Sequence, residues 1–357
     1  MLQQIVAVLF LASVLAAGVV DSRQDPPSGA AAADPTTPTT TPATTAAPAT
    51  TAPTAPATTP APVTTSPPAT APPPTAPPPT APPAARANVA KALISPRGVV
   101  LPVTGREGDR YRVTTPCGRS TVVSSGTPVA SAAVVLDAGH GGVEPGAVGP
   151  SQLAEKTVNL AVVEHARATL ERSGVSTVLT RTGDYRITLA TRADIVKALD
   201  PRAFVSVHHN AEPDGPRPGP GAETYFQIAS PESRRLSGLI YEEVVKALSA
   251  YRIAWAADTD AGAKYRRNVA GDDYYGILRR TQGTPASLAE LAFISNPPEE
   301  DLIRRADVQQ VEGEAVARGI LRFLNTRDPG SGFVEPYPRE SPAGSGGGGS
   351  NCVDPPL

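Results

Sequence analysis

The sequence predicts an α/β fold, a twisted and mostly parallel sheet flanked by helices on both faces and preceded by a small β segment. Two observations carry the prediction. From Ser131 to Asn325, strand-like and helix-like segments alternate. The strand-like runs Ala133-Val134-Val135-Leu136 and Phe204-Val205-Ser206-Val207 are apolar without polar alternation, as strands covered on both sides must be.

The chain has 357 residues, and five regions are expected along it. Residues 1–22 open with a nearly continuous apolar run to Val20, in which Ala16, Ala17 and Gly18 offer small residues for cleavage; this reads as a secretory signal, with an uncleaved membrane anchor as the alternative. Residues 23–87 are built mainly from Pro, Thr and Ala and hold about half of the 41 prolines. So few large apolar side chains cannot offset the entropy of ordering, so a disordered, stiffly extended linker is expected there.

Residues 88–130 carry β-type runs at 98–103, 110–114 and 120–123, separated by Gly105 and Gly108. That length is marginal for independent folding, so a small β-meander packed on the main domain is expected. Residues 131–326 form the main domain, with strands read at 133–136, 176–181, 204–207, 223–228 and 288–292. Helices are read at 159–170, 187–199, 232–250 and 308–324. Residues 327–357, rich in Gly and Pro, read as a flexible tail. The two cysteines, Cys117 and Cys352, fit no close-spaced metal pattern. An oxidising compartment permits a disulfide that would tie the tail back to the β segment, and two free thiols are the alternative.

Net charge is −2 with no long basic run, which argues against nucleic acid as a partner. The reactive residues gather where strands end, the place where open α/β sheets build sites. Asp137-Ala138-Gly139-His140-Gly141-Gly142 follows the first strand of the main domain. A phosphate loop is a poor reading of it, because Pro145 and Pro150 oppose an immediate helix start. Val207-His208-His209-Asn210 ends another strand, and alternation lets only one of the two histidines face a given site. His165, the fourth histidine, reads as an ordinary helix-face residue. Glu290 stands inside the apolar run Ser287–Phe293, where a carboxylate either sits on a solvent-facing edge or is buried for a reason. Glu155 stands just before a helix, where the macrodipole favours an acid. Two imidazoles, one carboxylate and a position left to water make a known catalytic zinc pattern, with a further carboxylate as general base.

The runs Val135–Gly142, Glu155 with Asn159-Leu160-Ala161, Leu179–Thr182, Ser206–Ala211 and Glu290–Asn296 resemble, in order, the N-acetylmuramoyl-L-alanine amidases of the Amidase_3 type. The β segment and the Pro/Thr/Ala linker are similar to those of actinobacterial members. The resemblance implies one bound zinc ion (Zn2+), with His140, Glu155 and His208 as ligands and Glu290 as the catalytic glutamate. His208 rather than His209 matches the family's Ser-x-His-x-Asn pattern, and His209 is a departure expected to point away from the zinc or to line the cleft. The implied reaction is hydrolysis of the amide between the lactyl group of N-acetylmuramic acid and L-alanine in peptidoglycan or muropeptides. The implied setting is exported, in the cell wall or outside the cell, with a monomer favoured and membrane contact only through the N-terminal segment. The short, Pro/Gly-rich connection 212–221 leaves no room for the regulatory helix that some members insert. Competing readings are an inactive amidase-like module that binds wall glycopeptide or activates an enzyme, a zinc peptidase, and a serine hydrolase using Ser206, which lacks the Gly-x-Ser-x-Gly elbow.

Overall fold

The computed structural model describes residues 89–337 and 351–357, all within one compact unit. The expected signal or anchor and the whole of the expected linker lie outside the described residues. Among the described residues, no helix is long and apolar enough to cross a membrane.

The small β segment comprises β1 (Ala92–Ile94), β2 (Val100–Glu107), β3 (Arg110–Thr114), β4 (Ser120–Val123) and β5 (Thr127–Val129). They form one antiparallel sheet in the order β4-β3-β2-β1-β5. The sequence reading contained β2, β3 and β4 but missed the three-residue strands β1 and β5, which are too short to show alternation. Leu93, Val99, Leu101 and Val113 give the segment a small core of its own. Ala92 and Val100 instead join the core of the main domain, so the segment is packed on it.

The main domain continues with β6 (Val134–Ala138), α1 (Glu155–Arg172), β7 (Thr177–Leu179), α2 (Leu189–Leu199), β8 (Ala203–Asn210), β9 (Gly215–Arg217), β10 (Glu223–Phe226), α3 (Pro231–Leu248), β11 (Trp255–Ala257), β12 (Ala263–Lys264), α4 (Gly276–Arg280), β13 (Ala286–Phe293), α5 (Pro297–Ile303) and α6 (Ala306–Asn325). Six strands make one sheet in the order β12-β10-β13-β8-β6-β7. Every pair is parallel except β10 with β13. Alternation along the strands sorts side chains into two cores. Val134, Leu136, Val205, Val207, Ala289 and Leu291 face α1, α3 and α6. Val135, Phe204 and Leu288 face α2, α4 and the β segment. The connection 212–221 contains β9, which pairs with β11, and no helix.

The tail is the main correction. Residues 327–337 are not loose but run beside β12. Ala263 N donates to Gly332 O at 2.8 Å and Val334 N donates to Ala263 O at 3.1 Å, so the tail satisfies an edge strand that would otherwise offer open hydrogen-bonding groups. Phe333 anchors it under the Arg234 guanidinium, 3.5 Å from the ring centre. Residues 351–357 are held by a Cys117–Cys352 disulfide. Asp354 reinforces it by accepting from Cys117 N at 2.8 Å and Thr115 Oγ1 at 2.9 Å, and Leu357 packs on the β-segment core. The disulfide is the one of the two cysteine readings that the structure holds, while nothing in the composition marks Phe333 as the second anchor. The cross-link spans 235 residues of sequence, so its loss frees a large loop in the unfolded chain. Replacing both cysteines by serine is expected to cost roughly 2–4 kcal/mol, read as a lower urea midpoint.

Candidate metal centre

Because β6, β8 and β13 run parallel, their carboxyl ends meet at one edge of the sheet, and the candidate residues converge there. Glu290 and His208 are direct partners across β13 and β8. His140 lies on the loop after β6. Glu155 is the first residue of α1, a turn earlier than the periodicity places the helix, and it is 3% exposed. The chain returns to the site through the turn 139–154, closed by hydrogen bonds from Glu155 N to Ala147 O and from Lys156 N to Pro145 O.

Glu155 sits between the two imidazoles. His208 Nδ1 is 2.9 Å from its Oε1, and His140 Nε2 is 3.1 Å from its Oε2. Ala147 N donates to Oε2 at 2.8 Å, and Asn159 Nδ2 donates to Oε1 at 3.0 Å. The two rings meet edge to face, with centres 5.0 Å apart. Ligand atoms of His140, Glu155 and His208 all lie within 4.8 Å of one another. Burial alone would raise the Glu155 carboxyl, but hydrogen bonds and charge from the two histidines outweigh it and hold it well below its ordinary value. Burial pushes His208 down, against the pull of Glu155. An ionised carboxylate and a neutral imidazole are the forms that bind a divalent metal. The donor set of two imidazoles and a carboxylate, open to a cavity on one side, therefore fits a zinc ion.

That cavity is about 320 Å³. Its floor holds Asp137, Ser206 and Arg192, and its apolar walls include Ile187, Leu189, Tyr275 and Leu288. Glu290 faces it as the one partly exposed position of β13, a central strand, so the edge reading does not apply. Its Oε2 has no hydrogen-bond partner. Burial first, then the charges of Glu155, Glu223 and Asp258, hold the Glu290 carboxyl well above its ordinary range.

Sequence reasoning missed the residues that hold the site in shape. Asp137 accepts from Ser206 Oγ at 2.6 Å and also from Thr180 and Arg192. Arg192 donates to the carbonyls of Ala138 and His140, both at 2.7 Å. It thereby fixes His140, whose φ of 61° lies in the left-handed region that a residue with a side chain rarely adopts. Arg181 Nη2 donates to Gly139 O at 3.0 Å and to Lys156 O at 2.7 Å, joining the two ends of the site loop. The one available signal was that Arg181 falls within the run Leu179–Thr182 that resembles the family; Arg192 read as an ordinary residue of a helix. Next to Glu290, buried Lys264 donates to Glu223 Oε1 at 2.7 Å and to Asp260 Oδ1 at 2.6 Å. His209 faces away from the cavity, on the side of α1 and α6.

Gly139 is required by contact rather than by conformation. A Cβ there would lie 2.2 Å from the His208 ring. Gly139→Ala is expected to displace His208 and so to weaken any divalent metal held by His140, Glu155 and His208, read by metal titration, while far-UV circular dichroism stays unchanged.

The profile of the family described as N-acetylmuramoyl-L-alanine amidase, Amidase_3, matches residues 134–322. The chain is 34% identical over 200 residues to the uncharacterised protein YqiI of Bacillus subtilis, covering 56% of this chain and 87% of that one. It is 32% identical over 214 residues to an endolysin of Bacillus phage SPP1, covering 59% and 72%. It is 26% identical over 217 residues to the germination-specific N-acetylmuramoyl-L-alanine amidase of B. subtilis, covering 57% and 84%. Among solved structures, it is similar to the amidase AmiC2 of Nostoc punctiforme, at 29% identity and a TM-score of 0.45, over 54% of this chain and 96% of that one.

Proposed function

The chain belongs to the Amidase_3 family of N-acetylmuramoyl-L-alanine amidases, and from that premise we propose that it is an exported, zinc-dependent peptidoglycan hydrolase. In this reading it cuts the amide between the lactyl group of N-acetylmuramic acid and L-alanine, and so releases stem peptides from the wall or from muropeptides. The observation that carries it is the convergence of His140, Glu155 and His208 beside a cavity into which Glu290 faces.

His140, Glu155 and His208 would hold the zinc. Zinc bound there supplies Lewis acidity, polarising a carbonyl and making water acidic enough to attack near neutral pH. The chain's own residues do the rest. The Glu290 carboxylate, which faces the cavity, takes a proton from the attacking water. A carboxyl held above its ordinary range is the stronger base for that step, and once protonated it passes the proton to the alanine nitrogen as the carbon–nitrogen bond breaks. Arg192 and Asp137 keep the His140 loop in place through the cycle. The apolar cavity walls exclude bulk water from one side of the reacting group.

The test is a digest of purified muropeptides and whole sacculi, with and without a chelator, read by mass. Free stem peptide with intact sugar, abolished by chelation and restored by zinc, is the expected result. Zinc bound without sugar–peptide cleavage would favour the inactive, wall-binding module. Cuts within the stem peptide would favour a zinc peptidase.

A further inference from the structure

Behind Glu155, on the face of the sheet away from the cavity, a line of polar side chains runs through a core of three helices. His209 follows His208 on β8, so alternation turns it to that face, where it is 1% exposed. Its Nδ1 is 2.8 Å from Asn159 Oδ1 on α1. Asn159 Nδ2 donates to Glu155 Oε1 at 3.0 Å and to Gly139 O at 3.3 Å. Both of those partners are acceptors, so the amide can be oriented only one way. Its NH2 faces Glu155, and its oxygen faces His209, whose Nδ1 must donate. The other ring nitrogen faces Glu312 Oε2 on α6 at 3.4 Å, and both side chains are fully buried. Neither oxygen of Glu312 nor His209 Nε2 makes a hydrogen bond, so the two meet at ion-pair distance and the imidazole is the polar group that faces this carboxylate.

An apolar pair would fill the same space without the desolvation penalty of a buried acid. What the polar line adds is a fixed donor at its far end. We infer that Asn159, His209 and Glu312 are positioning residues for the candidate zinc centre, with the line Glu312–His209–Asn159 locking the Glu155 carboxylate in the orientation that faces His140 and His208. The inference rests on the zinc reading of the site. It also gives a use to His209, the residue by which this chain departs from the family's pattern. Hydrogen-bond partners behind a metal ligand hold its orientation, and removing them typically weakens metal binding by about 10–100-fold.

The test uses the full chain and reads zinc affinity by competition with a chelating dye, the visible spectrum of the cobalt-substituted protein, and the melting temperature. The double variant His209→Phe/Glu312→Met removes the line and leaves no unpaired charge in the core. It is expected to melt at or above the parent, to bind zinc roughly 10–100-fold more weakly, and to show an altered cobalt spectrum. Asn159→Ala keeps the His209–Glu312 pair and is expected to weaken zinc in the same range, which preserves the test should the double variant fail to fold. Val316→Ala, one turn along α6 in the same apolar core, is expected to lower the melting temperature without touching affinity. Parental affinity and spectrum in the folded variants would overturn the inference, as would an affinity loss that Val316→Ala reproduces. A parent chain that binds no zinc would instead overturn the functional reading, and the inference with it.

Discussion

A Glu290→Gln variant is expected to lose muropeptide hydrolysis by about 10²–10⁴-fold while melting no lower than the parent. A carboxylate that earned its place by stabilising the fold would show the opposite pattern. Glu290 has an oxygen without a partner and lies among Glu155, Glu223 and Asp258, so its charge opposes folding. The sign follows from linkage: a carboxyl raised in the folded state binds protons that the unfolded chain has released. Stability therefore falls as pH rises from the ordinary carboxylate range toward the raised value. Glutamine removes that loss, so in chelator-treated protein the variant's advantage in melting temperature should widen between about pH 5 and pH 7. Zinc content should be unchanged, since glutamine leaves His140, Glu155 and His208 untouched. Activity retained alongside a lowered melting temperature would remove Glu290 from the chemistry.

Asp137→Ala is expected to cost roughly 3–5 kcal/mol, enough to take a marginal domain close to unfolding at 37 °C. Asp137 is 1% exposed and Arg192 3% exposed, and the substitution strands the guanidinium in the core. Burial alone would raise the Asp137 carboxyl, but Arg192, Ser206 and Thr180 together bring it below its ordinary value. Its contribution is thus complete above about pH 4 and is lost as the pH falls through the lowered folded value. Urea unfolding at pH 7 and at acid pH measures both parts: a large difference between parent and variant at neutral pH, shrinking in acid. A second consequence concerns the site, because Arg192 also holds the His140 carbonyl. Any folded fraction of the variant should bind zinc poorly.

The sequence carried the layer architecture because long apolar runs can be buried in only one way. It offered the four candidate site residues through short runs that resemble the family, three of them at or near a strand end or a helix start and Glu290 inside an apolar strand. It did not carry α5, β9, β11, β12 or the tail along β12, since each owes its form to partners distant in the chain. The same holds for the supports of the site. Arg181, Arg192 and Lys264 look like surface cations in a linear text, and only the closed fold shows them donating to buried carbonyls and carboxylates. Glu155 shows the boundary between the two cases, having been found by its position before a helix, while the two histidines that lower its carboxyl come from other segments.

The Cys117–Cys352 bond also changes the covalent graph of the molecule. Everything between those residues becomes a closed ring, and the ring contains all four candidate residues. A single proteolytic nick anywhere in it, including the glycine run 344–350, opens the ring without releasing a fragment. The two pieces then stay joined through the disulfide, and the lesion becomes visible as two fragments only after reduction.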